Sequence, residues 1–204
     1  EELSLRTKAG IPVPLVDLRI VDPQMQDVAH DGVATGEVVV RAPWLTQGYL
    51  HNPDASAALW AGGYLHTGDI GNIDAGGYLR VTDRIKDVIK TGGEWISSLE
   101  LEDLISRHSA IREVAVVGVP DPQWGERPFA LLVLREGQAI DARALKEHLK
   151  PSVEQGLINK WAIPSQIAVV PEIPKTSVGK LDKKKIRLDI AEWQASNSSL
   201  LSTL

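Results

Sequence analysis

The sequence predicts an α+β fold in two parts: a small β-rich subdomain, built as a distorted barrel, then a small mixed α/β domain. Two observations predict it. Residues 1–83 hold short strand-like stretches separated by glycine-rich turns, with one short helical stretch among them. After Asp83 the pattern changes, and apolar residues at helical spacing alternate with compact apolar runs. The expected boundaries are therefore 1–84 for the first part and 85–204 for the second.

Residues 15–22 alternate apolar and polar for part of their length, as a half-buried strand does. Residues 36–41 are a second strand, entered by Gly36. Asp54 is placed to cap a short helix running through Ala58 and Trp60. Residues 70–73 and 78–82 form a hairpin, with turn residues Asp74-Ala75-Gly76-Gly77 between them.

In the second part, residues 98–108 form an amphipathic helix with Leu101, Leu104, Ile105 and His108 on one face. Ser97 and Glu100 stand at its start in capping-box spacing. Residues 114–119, 129–134 and 166–170 read as buried strands, and Asp141 caps a helix carrying Leu145 and Leu149. A short basic helix covers residues 183–190, and the serine-rich tail 196–204 is expected to fray.

Composition narrows the function classes. A hydrophobic content of 43 % and a charged content of 24 % are those of a globular domain. Nothing approaches the roughly 18 apolar residues of a membrane span, and the first residues lack signal-peptide character. Zero cysteines exclude disulfides and thiolate metal sites, and fit a cytoplasmic protein. No metal-ligating residue is expected. The net charge of −5 and 5 % aromatic content weigh against a nucleic-acid binder, leaving Lys183-Lys184-Lys185-Ile186-Arg187 as a solvated helix face. The chain starts without methionine and strand-like sequence begins by Leu15, as expected of a segment of a longer chain.

Four motifs carry chemistry. Thr67-Gly68-Asp69 presents a carboxylate just after a tight turn, where it can accept two hydrogen bonds from a sugar diol; taken alone, Asp69 is an ordinary turn-former. Arg84 follows a strand, and its guanidinium has fixed donors for ribose or phosphate oxygens, or for a surface ion pair with Asp83 or Asp87. Gly92-Gly93-Glu94-Trp95 exposes backbone amides beside two glycines, which suits the wall of a narrow channel; Trp95 could equally be a core anchor. Pro174-Lys175-Thr176-Ser177-Val178-Gly179-Lys180 presents Lys180 at a loop tip, with Gly179 lending mobility. It is not a nucleotide P-loop, because the glycine spacing is absent and Leu181 follows the lysine.

In this order, and together with Pro120-Asp121 and Gly125-Glu126-Arg127-Pro128, these motifs closely resemble the acyl-adenylate-forming superfamily. The resemblance runs from about Gly10 to Ile190, and Trp95 makes it most similar to the medium- and long-chain fatty-acyl-CoA ligases. It implies a C-terminal portion of such a ligase, which joins a carboxylic acid to ATP and passes the acyl group to CoA. On this resemblance Asp69 and Arg84 hold the ribose of ATP or AMP, and Val81 packs near the nucleoside. Lys86 is the hinge, and Gly92, Gly93, Glu94 and Trp95 belong to the loop lining the pantetheine tunnel. Lys180 is the lysine of adenylate formation, and Lys90 a second lysine without a fixed role. The implied small molecules are ATP, AMP, CoA, a fatty acid and Mg2+, the last held mostly by the upstream part. No nucleic acid or membrane span is implied, and a homo-oligomer is open for the full-length protein.

The departure is length. The superfamily's phosphate loop and Tyr-Gly-x-Thr-Glu segment are absent, so this chain alone is expected to be inactive. The alternatives are an enzyme adenylating aryl, short-chain or amino acids, and a non-catalytic nucleotide- or CoA-binding module.

Overall fold

The computed structural model describes residues 5–195 and the backbone of residues 201–203. The chain divides into two compact units, Glu1–Lys86 and Asp87–Leu204.

The first unit is built on one sheet of four strands: β1 (Asp17–Val21), β2 (Gly36–Arg41), β3 (Leu65–Ile73) and β4 (Leu79–Arg84). They pair in sequence order, all antiparallel. The sheet stays open, so the expected distorted barrel is not closed. Ile20, Val38, Ile73 and Leu79 form its small core. The hairpin between β3 and β4 turns as expected, with Asp74 Oδ1 accepting from Gly76 N at 2.9 Å and Tyr78 N at 3.0 Å. Helix α1 (Pro53–Leu59) is capped by Asn52, whose side chain accepts from Ala55 N. Asp54 sits in the first turn instead, because Pro53 occupies the opening helical position and moves the cap one residue ahead of it.

The second unit has six strands: β5 (Ile89–Thr91), β6 (Glu94–Ile96), β7 (Ile111–Asp121), β8 (Gly125–Leu134), β9 (Gln166–Val169) and β10 (Leu201–Thr203). Among the described residues only β8 and β9 run parallel; the other pairs are antiparallel. Among its described residues are three α-helices, α2 (Ser98–Ser106), α3 (Ala142–Glu154) and α4 (Lys183–Ala195), and a short 3-10 helix, Lys160–Ala162. Alternation along β7 and β8 decides what each helix covers. Val114, Val116, Ala130 and Leu132 join Leu101, Ile105, Leu145 and Leu149 in one core, under α2 and α3. Ala115, Val117, Phe129 and Leu131 join Ile186 and Ile190 of α4 in the other. A sheet covered on both faces needs continuous apolar strands, which is how these two read.

The helix starts follow the sequence. Ser97 caps α2, its Oγ accepting from Glu100 N at 3.2 Å. Asp141 caps α3, accepting from Ala144 N at 2.7 Å. Asp182 Oδ1 accepts from Lys185 N at 3.0 Å at the start of α4, which runs to Ala195 and not only to Ile190. Leu201–Thr203 pairs with β9, contrary to the expected fraying there; residues 196–200 and 204 lie outside the described residues. Among the described residues no helix is long and apolar enough to cross a membrane.

Candidate functional site

In the first unit the structure brings Asp69 and Arg84 together. They face each other across the β3–β4 pair, with Arg84 Nε 2.8 Å from Asp69 Oδ1. Residues 65–69 belong to β3 and are not the expected tight turn. The strand is irregular there: Gly68 has φ +70°, its carbonyl accepts from Ile85 N at 2.8 Å, and Thr67 Oγ1 accepts from Asp69 N at 3.1 Å. That kink, allowed by a glycine, leaves the Asp69 carboxylate partly exposed beside Arg84. A register shift follows at Ile70/Gly71. Val81 on β4 is 46 % exposed, which is unusual for valine on a strand and leaves an apolar surface free. Lys86 is exposed in the turn that ends this unit.

In the second unit the glycine pair makes a hairpin between two short strands. Register Thr91↔Glu94 leaves Gly92 and Gly93 as a two-residue connection, with φ +58° and +90°. Both values are positive, as a type I′ turn requires, and glycine adopts them without strain. Segment 120–128 holds this hairpin from beneath. Gly92 N donates to Trp124 O at 2.9 Å, Lys90 N to Glu126 Oε2 at 3.0 Å, and Thr91 Oγ1 to Glu126 O at 2.7 Å. A Cβ on Gly92 would meet the Trp124 ring at 3.0 Å, whereas one on Gly93 would meet nothing within 4 Å. Glu94 is exposed, and the half-buried Trp95 carries Lys90 Nζ at 5.6 Å from its ring centroid. Trp95, Ser97, Glu100 and Asn159 help line a cleft of about 160 Å³.

Lys180 lies on a separate loop of the same unit. Its neck is closed by Asp182 N donating to Pro174 O at 2.9 Å and by an isolated bridge between Lys175 and Leu181. Inside it, Thr176 N donates to Lys180 O at 2.7 Å, Gly179 N to Thr176 O at 2.9 Å, and Lys180 N to Thr176 Oγ1 at 3.2 Å. Gly179, at φ +79°, supplies the left-handed position that this closed turn needs. The glycine thus shapes the loop, where mobility had been expected of it. The exposed Lys180 ammonium makes no hydrogen bond or ion pair within the described residues. By contrast, Lys175 Nζ is 2.8 Å from Glu113 Oε2, and the nearby buried Lys183 Nζ is 2.8 Å from Glu102 Oε1. Among the described residues there is no group of three or more His, Asp or Glu that could hold a metal ion.

Residues 100–180 match the family model for the AMP-binding enzyme C-terminal domain. The curated relatives that this chain matches include CoA ligases. It is 44 % identical over 188 residues to the long-chain-fatty-acid–CoA ligase of Thermus thermophilus, covering 92 % of this chain and 34 % of that protein. It is 39 % identical over 187 residues to the 3-methylmercaptopropionyl-CoA ligase of Ruegeria lacuscaerulensis, covering 92 % and 33 %. Among solved structures it is similar to the o-succinylbenzoate CoA synthetase of Bacillus subtilis in complex with an acyl-adenylate intermediate. That match has a TM-score of 0.77 and 30 % identity, and covers 91 % of this chain and 36 % of the other. The chain thus spans about a third of the length of the curated relatives it matches.

The sequence named Asp69, Arg84, the glycine pair and Lys180. It assigned no role to Glu126, although Glu126 lies in the quoted Gly125-Glu126-Arg127-Pro128 stretch, nor to Trp124 just before it. Their contacts with the hairpin span more than thirty positions, which no local pattern reveals. Lys183 was read only as part of a basic run.

Proposed function

We propose that this chain is the C-terminal part of a cytoplasmic, AMP-forming acyl-CoA ligase that acts on medium- or long-chain fatty acids with ATP and CoA. In the first half-reaction a carboxylate oxygen attacks the α-phosphorus of ATP and pyrophosphate leaves. Two anions meet there, and a cation aimed at the developing charge lowers the barrier. The observation that carries this reading is Lys180: an ammonium without a partner among the described residues, on a loop closed by its own hydrogen bonds. Asp69 would accept hydrogen bonds from the ribose hydroxyls, with Arg84 alongside and Val81 against the nucleoside.

In the second half-reaction the CoA sulfur attacks the acyl carbonyl carbon, its proton passes to solvent, and AMP leaves. This step needs an open path more than a cation. The Gly92-Gly93 turn suits it, because backbone without side chains can line a narrow channel, with Glu94 and Trp95 at its flank. One unit would serve both steps by turning about Lys86, at the boundary between 1–84, the last β-rich subdomain of the ligase's large N-terminal domain, and 85–204, its mobile C-terminal domain. A few residues at an element boundary can absorb such a change.

The test compares the full-length ligase with this chain. The ligase is expected to release pyrophosphate from ATP in the presence of medium- and long-chain fatty acids, and less with aryl or short-chain acids. This chain alone is expected to release none. Preference for an aryl or short-chain acid would overturn the substrate class, and turnover by this chain would overturn the division of the site. Brief trypsin treatment is expected to cut after Lys86, which is exposed in a turn, before Lys90, whose amide is bound in β5.

A further inference from the structure

We propose that Glu126 is a positioning residue for the acyl-transfer step, holding the Gly92-Gly93 hairpin in the shape that CoA needs. The proposal rests on the reading above, in which that hairpin lines the CoA path.

Glu126 grips the strand leading into the turn twice. Its carboxylate Oε2 accepts from Lys90 N at 3.0 Å, and its backbone carbonyl accepts from Thr91 Oγ1 at 2.7 Å. Thr91 is 1 % exposed, so its hydroxyl is held away from competing water. β5 is three residues long and meets β8 only at Thr91↔Gly125. So short a strand has little ladder of its own to fix its twist, and the carboxylate supplies a bond the ladder lacks. A hydrogen bond to a charged acceptor is also stronger than an ordinary one.

The fold makes room for this carboxylate. Gly118 on β7 lies where any side chain would strike it: a Cβ there would stand 2.8 Å from Glu126 Oε2 and 3.0 Å from Cδ. Gly118 has no positive φ, so its backbone does not require glycine. The space a side chain would need is taken by Glu126 and, at 3.3 Å, by Ile89 Cγ2 of β5. Two residues on different strands thus fit one purpose, a carboxylate pressed onto the amide of Lys90. Gly92 N on Trp124 O, at 2.9 Å, fixes the far side of the turn.

The experiment uses the full-length ligase with Glu126→Ala, Glu126→Gln and Gly118→Ala, each half-reaction measured separately. Pyrophosphate release reports adenylation; acyl-CoA formed from synthetic acyl-adenylate and CoA reports transfer. Glu126→Ala is expected to lower kcat/KM for CoA by roughly 10- to 100-fold, the loss typical of a displaced positioning element, and to leave adenylation within about twofold. Glu126→Gln keeps an acceptor oxygen and is expected to restore most of the loss. Gly118→Ala, which crowds the carboxylate from the other side, is expected to reproduce the Glu126→Ala defect. Amide hydrogen exchange on this chain supplies a readout independent of activity: Lys90 and Gly92 are expected to lose protection in Glu126→Ala and Gly118→Ala. Equal slowing of both half-reactions, or unchanged transfer with unchanged exchange, overturns the proposal. If Glu126→Ala does not fold, the glutamine and Gly118 variants decide it by the same criteria. Should the wild-type ligase itself form no acyl-CoA, the functional reading fails instead, and the exchange result still judges the grip on the hairpin.

Discussion

Arg84 Nε lies 2.8 Å from Asp69 Oδ1, with the Asp69 side chain 27 % exposed and that of Arg84 59 % exposed. A pair this open to water contributes at most about 1 kcal/mol to stability. Its geometry therefore matters more for what else the carboxylate can bind. If Asp69 accepts hydrogen bonds from a ribose diol, Asp69→Asn should raise KM for ATP in the full-length ligase by about tenfold or more. That corresponds to the roughly 1.5–3 kcal/mol of hydrogen bonds to a charged group. Thermal stability should barely move. An unchanged KM would assign the pair to the fold and not to the nucleotide.

Lys183 makes a different kind of pair. Its ammonium reaches Ser98 Oγ at 2.7 Å and Glu102 Oε1 at 2.8 Å, and the two charged side chains are only 9 % and 12 % exposed. Glu102 Oε1 also accepts from Val116 N at 2.8 Å. Removing one partner of such a pair strands the other and costs about 3–5 kcal/mol. Lys183→Met should lower the melting temperature of this chain by on the order of 10 °C. Lys184→Met, at the exposed neighbouring position, should change it little. Equal effects of the two would show that the buried pair contributes nothing special.

His108 and His148 meet edge to face, ring centroids 5.0 Å apart, where α2 ends against α3. Ala110 N donates to His108 Nδ1 at 3.2 Å, and His148 Nε2 lies 2.9 Å from Leu104 O. Burial first, and then the charge of His148, hold His108 below its ordinary value of 6.5. The unfolded chain therefore takes up this proton first as pH falls. The stability involved is complete above pH 6.5 and is lost as pH falls through the lower folded value. His108→Asn keeps an acceptor for Ala110 N and removes the titration, so it should flatten the stability profile below that pH. A profile of unchanged slope would place the acid sensitivity elsewhere.

The sequence revealed most where the signal is local. Gly36 to Arg41, the caps Ser97 and Asp141, and the apolar runs of β7 and β8 each rest on residues that are neighbours in the chain. It was less informative where tertiary contacts decide. Asp54 resembled a cap because Asp commonly is one, but the position of Pro53 gave that role to Asn52. Residues 65–69 resembled a turn because of Gly68; pairing with β2 makes them strand. The hairpin at Gly92 was legible as a turn but not as two strands, since each is three residues long. The grip of Glu126 on Lys90 was not legible at all.

On the proposed function, labour is divided within one unit: Lys180 for the step that gathers negative charge, the Gly92-Gly93 hairpin for the step that needs space. The most direct measurement is Lys180→Ala in the full-length ligase with the two half-reactions assayed apart. Fatty-acid-dependent pyrophosphate release should fall by about 10²-fold or more, the loss typical of a removed transition-state charge contact. Conversion of synthetic acyl-adenylate and CoA to acyl-CoA should stay within about threefold of wild type, since no phosphate is attacked in that step. Equal slowing of both half-reactions would contradict the account and make Lys180 a structural or general binding residue.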